Sequence, residues 1–167
     1  HRAGDRRAVH AAALAVMRDQ PSYNGSALPS LYDLGQLTEA ELEARGKTAL
    51  LEALRMLRLR PGQKVLLPSF ICREILAPIA LAQAEPVFYA VDVALQPQLP
   101  APTGDVAAVI AVNYFGFAQA LEPFRAYCQR YGACLIEDNA HGLGGTWRGR
   151  GLGTIGMMGT LSFHDTK

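Results

Sequence analysis

A three-layer α/β fold with a mostly parallel sheet is predicted by two features of the chain. Short apolar runs, "KVLLP" (64–68), "PVFYAV" (86–91), "VAAVIAV" (106–112), "ACLIE" (133–137) and "GTLSFH" (159–164), read as buried strands. Helical stretches separate most of them, and strands that alternate with helices pair in parallel with both faces of the sheet covered. Ligands in such sheets gather beyond the carboxyl ends of the strands. That rule singles out Ser69, Asn113, Asp138 and whatever follows Leu161.

Taken in order, the chain opens with a helical stretch from Arg6 to about Arg18. "DQPSYNGSALPSLYDLG" follows, rich in Pro, Gly, Ser and Asn, and reads as an entry loop. Residues 1–36 therefore form an N-terminal helix and loop, and 37–167 one larger domain. Thr38-x-x-Glu41 is a capping box, with acidic residues near the positive end of a helix dipole. Gly46 ends or bends that helix. "KTALLEALRMLRLR" (47–60) is a second one, with Leu50, Leu54 and Leu57 on one face and Pro61-Gly62 as its stop. Further helices are expected from about Arg73 to Ala82 and from about Ala120 to Tyr131.

Composition excludes several classes. The chain has 167 residues, half of them hydrophobic, which is enough for a sizeable core and too apolar for a disordered chain. Sixteen basic and fifteen acidic side chains, without a block of one sign, provide no footprint for nucleic acid or a membrane surface. The longest charge-free run, Val106 to Leu121, is interrupted by Asn113 and Gly116 and falls short of the roughly 18 to 20 apolar residues a membrane span requires. Cys72, Cys128 and Cys134 have neither metal-ligand spacing nor the density of a disulfide scaffold, so no metal site is expected and a reducing cytoplasm is the simplest home. The basic-then-apolar start resembles a signal peptide but reads better as an amphipathic helix. With His1 rather than Met first and Lys167 last, the sequence is expected to be a piece of a longer chain.

Asp138 directly follows "CLIE", at the end of a buried strand, where a carboxylate is costly unless it is paired or hydrogen-bonded. Alone it caps a turn more readily than it binds a ligand, and a lone His141 is more often structural. Gly151, Gly153 and Gly156 satisfy G-x-G-x-x-G, but a nucleotide fingerprint needs a strand before it and a helix opening on it, whereas these glycines lead into a strand. Gly46-Lys47-Thr48 is either a plain helix break with a solvated lysine or a helix start whose free N–H groups meet an anion. Lys167 gains meaning in combination. An amine beyond a strand end can form a Schiff base with an aldehyde, and an aspartate on a neighbouring strand can keep a pyridine nitrogen protonated. Ser162 and the amides of Lys47 and Thr48 can bind a phosphate. Together these are the parts of a pyridoxal-phosphate site.

At this point the chain resembles the DegT-type sugar aminotransferases, a family of fold type I pyridoxal-phosphate enzymes. The likeness runs through "GKTALLEALRMLRLRPGQKVLLPSF", "AAVIAVNYFG", "LIEDNAHGLGGTWRGRGLGTIG" and "LSFHDTK". The resemblance implies the large, cofactor-binding domain of such an enzyme, without its small C-terminal domain, and a homodimer in the full-length protein. By the same resemblance Lys167 looks like the Schiff-base lysine and later acid and base, and Asp138 like the partner of the pyridine nitrogen. Ser162, Lys47 and Thr48 look like phosphate ligands, and His141 falls where the family has a glutamine or histidine near the ring. The implied reaction transfers an amino group, usually from glutamate, to a nucleotide-linked keto-sugar in cell-surface polysaccharide or secondary-metabolite biosynthesis.

Two positions depart from the family pattern. Cys72 stands where an aromatic ring usually covers the pyridine, and a thiol offers less stacking surface. Arg45-Gly46-Lys47 replaces Ser-Gly-Thr, exchanging a hydroxyl donor for a less directional ammonium. A related branch that carries histidine in place of the lysine and removes a hydroxyl is disfavoured by Lys167. The alternatives are a non-catalytic relative that keeps pyridoxal phosphate as a sensor or structural ligand, and a plain nucleotide-binding sheet.

Overall fold

The computed structural model describes residues 49–72, 75–142 and 144–161. The opening helix, the entry loop, the Thr38 capping box, Lys47, Thr48, Ser162 and Lys167 lie outside the described residues. Helix α1 covers 49–56, within the stretch expected over 47–60. Its Leu50, Ala53 and Leu54 are buried, and Leu57 packs against the same cluster. This is the one-face spacing of an amphipathic helix. Strand β1 (Lys64–Pro68) has the predicted bounds.

Helix α2 (Leu76–Leu81) is shorter than the expected 73–82, although residues 73 and 74 are not among those described. Pro78 is tolerated in its first turns, where an N–H has no intrahelical partner to lose. Strand β2 (Glu85–Val91) follows, then the two-residue β3 (Pro97–Gln98), which the apolar pattern did not reveal. Strand β4 (Val106–Val112) again has the predicted bounds. Helix α3 (Leu121–Tyr131) ends on Gly132, whose φ of 71° is left-handed and whose N–H reaches the Cys128 carbonyl at 2.9 Å.

Strand β5 (Cys134–Asn139) continues two residues past the expected end. The reason is its parallel ladder with β8 (Met158–Leu161), which runs from Ile136↔Met158 to Asn139↔Leu161. Between them the glycine-rich excursion folds a small hairpin, β6 (Thr146–Trp147) and β7 (Arg150–Gly151). No helix opens on Gly151, Gly153 and Gly156; the chain passes into β8, as expected of a glycine pattern that is not a nucleotide fingerprint.

The main sheet has the order β3-β2-β1-β4-β5-β8, and all its neighbouring strands are parallel except β2 and β3. Alternate residues of each strand feed two cores. Val65, Leu67, Ala108, Ile110, Val112 and Ile136 pack with α1 and α2 residues on one face. Leu66, Val109, Ala111 and Leu135 pack with Leu121, Phe124 and Tyr127 of α3 on the other. Each fully buried Leu, Ile or Phe contributes about 1.5–3 kcal/mol, so both helix layers are held by burial rather than by propensity. The strand order reverses at β1, which places the ligand crevice outside the carboxyl ends of β1 and β4 and their neighbour β5.

Candidate cofactor site at the carboxyl edge

Asp138 stands in the last turn of the β5 ladder, opposite Val112 of β4 and Thr160 of β8. Its carbonyl accepts the Asn113 N–H at 2.9 Å, and its Oδ1 accepts the Ala140 N–H at 3.1 Å. The turn-capping role read from sequence is therefore present. The Asp138 side chain is half-buried at the sheet edge. The Tyr114 phenol is pushed up to about 12, first by burial and then by the negative charge of Asp138.

A run of rings connects three strand ends. Phe70, just beyond β1, lies 5.5 Å from Tyr114 between centroids; Tyr114 lies 6.4 Å from Phe115; and Phe115 stacks on His141 at 6.3 Å with 3° between planes. Offset parallel stacking of this kind is favourable for aromatic pairs. The Tyr114 hydroxyl donates to the Phe70 carbonyl at 2.8 Å and so pins the segment leaving β1 against the end of β4. Phe115 holds a φ of 53°, a strained value for a bulky residue, of the kind that collects at ligand sites. His141 is exposed beside it, and Cys72 is exposed two residues beyond Phe70, its carbonyl accepting the Ile75 N–H at 3.3 Å.

Beneath this ledge lies a buried amide network. Asn113 Nδ2 donates to Asn139 Oδ1 at 3.2 Å, and Asn113 Oδ1 accepts the Gln119 N–H at 3.1 Å. Asn139 Nδ2 donates to the Leu152 carbonyl at 3.0 Å, and Gln119 Nε2 to the Leu95 carbonyl at 3.1 Å. Gln119 Oε1 is buried without a hydrogen-bond partner among the described residues, so the network is satisfied at Asn113 and Asn139 but not throughout.

The structure thus brings Asp138 and His141 to one edge, with Cys72 on the segment that leaves the neighbouring edge of β1. Lys47, Thr48, Ser162 and Lys167 are not among the described residues. Sequence reasoning passed over Tyr114 and Phe115 as ring contacts and Glu137 as a buried carboxylate. The available signals were an aromatic pair directly after a strand end and an acid inside an apolar run. Among the described residues no helix is long and apolar enough to cross a membrane.

Residues 43–167 match the DegT/DnrJ/EryC1/StrS aminotransferase family. The UDP-N-acetyl-3-dehydro-alpha-D-glucosamine 3-aminotransferase of Acidithiobacillus ferrooxidans is 32% identical over 129 residues, covering 74% of this chain and 35% of the relative. The aminotransferase TlmJ from Streptoalloteichus hindustanus superposes with a TM-score of 0.64 at 31% identity, over 71% of this chain and 34% of TlmJ. A GDP-4-keto-6-deoxymannose-3-dehydratase, solved with a trapped pyridoxal-phosphate–glutamate geminal diamine, gives a TM-score of 0.66 at 25% identity, over 73% of this chain and 34% of its own. The chain spans about a third of the length of these relatives. Its sheet is the one expected from sequence, that of the large domain of fold type I pyridoxal-phosphate enzymes. With a match that extends over most of its residues, the chain belongs to the DegT/DnrJ/EryC1/StrS aminotransferase family.

Proposed function

We propose that the protein is a pyridoxal-phosphate-dependent aminotransferase that moves an amino group from glutamate to a nucleotide-linked keto-sugar, serving cell-surface polysaccharide or secondary-metabolite synthesis in the cytoplasm as a homodimer. The observation that carries this reading is Asp138 at the carboxyl end of β5, beside an exposed His141 and a ring-lined ledge. The cofactor fits this set chemically. A flat, cationic pyridine needs a carboxylate acceptor and aromatic walls, and both are present.

When bound, pyridoxal phosphate supplies an aldehyde for the amino group and a ring that draws off electrons from the carbon bearing it. Asp138 would keep the pyridine nitrogen protonated. Lys167 would hold the cofactor through its Nζ and would serve as the acid and base for the amino-bearing carbon. Lys47, Thr48 and Ser162 would hold the phosphate by charge and N–H or O–H donation. His141, stacked on Phe115, would border the ring. The second reading, a relative that retains the cofactor without turning it over, draws on exposed Cys72, a thiol where the family pattern has a stacking ring.

The test uses the intact protein. Borohydride reduction followed by peptide mapping is expected to find the pyridoxyl group on Lys167, and Lys167→Ala is expected to abolish it. An adduct elsewhere, or none, overturns the assignment. Glutamate then separates the two readings, since only an aminotransferase bleaches its visible band and releases 2-oxoglutarate.

A further inference from the structure

Glu137 is wholly buried, and the reading above assigns it no task. Its side chain lies on the opposite face of β5 from that of Asp138, because successive strand residues point to opposite sides. Both carboxylate oxygens are engaged by one loop. Oε1 accepts the N–H groups of Ile155 at 2.5 Å and Gly156 at 2.6 Å, and Oε2 accepts that of Gly153 at 2.9 Å. Asn139, on the same face, adds its donation to the Leu152 carbonyl at 3.0 Å. The loop so gripped leads directly into β8, where Glu137 pairs with Gly159 and Asp138 with Thr160.

Strand β5 therefore divides its labour between its faces. Glu137 and Asn139 clamp the loop before β8, while Asp138 between them faces the edge proposed for the cofactor. Three convergent donors on one buried carboxylate also fix the loop in direction, since bonds to a charged acceptor are shorter and stronger than neutral ones.

We propose that Glu137 is a positioning residue for the cofactor site: its carboxylate, through the amides of residues 153–156, sets where β8 enters the sheet beside β5, and so fixes the β5–β8 edge at which Asp138 stands. The inference rests on the proposed roles of Asp138 and Lys167. A glutamine at 137 keeps size and shape but turns one acceptor into a donor facing an N–H, leaving at least one buried bond unmade.

In the intact protein, Glu137→Gln is expected to lose hydrogen-exchange protection at the 153, 155 and 156 amides before any cofactor is added. With cofactor, borohydride still traps it on Lys167, but the pH at which the visible band changes moves. The glutamate half-reaction slows about 10²-fold, as for a misplacement of about 1 Å, with KM little changed. Glu137→Asp, which keeps the charge on a shorter arm, is expected to recover part of the rate; it also carries the test if the glutamine variant does not fold. Lowered protection with an unmoved spectrum and unchanged turnover would mean that the clamp is structural only, and the proposal fails. Loss of the wild-type adduct on Lys167 is a separate result. It removes the cofactor reading, and this proposal with it, whatever the Glu137 variants do.

Discussion

At the scale of single residues, the site depends on the Asp138 carboxylate, whose Oδ1 also accepts the Ala140 N–H. If that group stabilises charge on the cofactor nitrogen, Asp138→Ala is expected to cut amino transfer by about 10²-fold or more, as loss of a preorganised electrostatic partner does. The borohydride adduct on Lys167 would persist, because anchoring is a separate task. Unchanged turnover in a steady-state assay would rule out the electron-sink role. Tyr114 carries a different load, since its hydroxyl joins the end of β4 to the Phe70 carbonyl. Tyr114→Phe removes one hydrogen bond between part-buried groups and is expected to cost about 1 kcal/mol in urea unfolding. Exchange of the amides of residues 69–72 should quicken more than that of β4, because only the former are held by this contact.

Among the elements, the β5–β8 junction tolerates least change. A Cβ added at Gly159 would come within 2.0 Å of the Gly153 carbonyl oxygen, and both partners are backbone with little freedom to yield. Gly159→Ala is accordingly expected to destabilise by about 1–3 kcal/mol, the usual range for overpacking, which thermal unfolding would measure. This junction also marks where the sequence stopped being legible. Strands β1 and β4 were read with their bounds because continuous apolar runs between turn residues need no partner to be recognised. The extra residues of β5, and the short β3, β6 and β7, exist because a neighbouring strand supplies hydrogen bonds, a relation that no local window contains. Asp138 and His141 were visible as candidates from their place after an apolar strand. The Glu137 clamp was not, because its partners are backbone N–H groups sixteen to nineteen residues away, whose identity leaves no trace in side-chain pattern.

For the whole molecule, surface charge decides little. The described ion pairs, Arg55 with Glu52, Arg60 with Asp105 and Arg148 with Glu122, are largely exposed, and such pairs contribute about 0–1 kcal/mol each. Buried phenols and a thiol matter more, and they sit on both faces of the sheet. Tyr114 belongs to the core under α1 and α2, whereas Tyr89 and Cys128 belong to the core under α3. Burial is the leading cause that raises Tyr114 to about 12 and Cys128 to about 11, with Cys134 adding to the latter, and burial also pushes Tyr89 well above the ordinary phenol value. The sign follows from linkage. Each folded-state value is raised, so the unfolded chain gives up its proton first, and the stability these groups confer below their ordinary values drains away as pH climbs through the folded ones. The decline should begin near the ordinary thiol value of 9.0, steepen near the phenol value of 10.0, and be far advanced at about 12. Urea midpoints of the intact protein measured from neutral to alkaline pH are expected to trace it. Tyr89→Phe sharpens the test. It forfeits the 2.9 Å bond to the Ile110 carbonyl and so starts about 1 kcal/mol lower at neutral pH, but it falls less steeply above pH 10 because one titrating group is gone. Parallel curves for the two proteins would show that Tyr89 does not drive the alkaline loss.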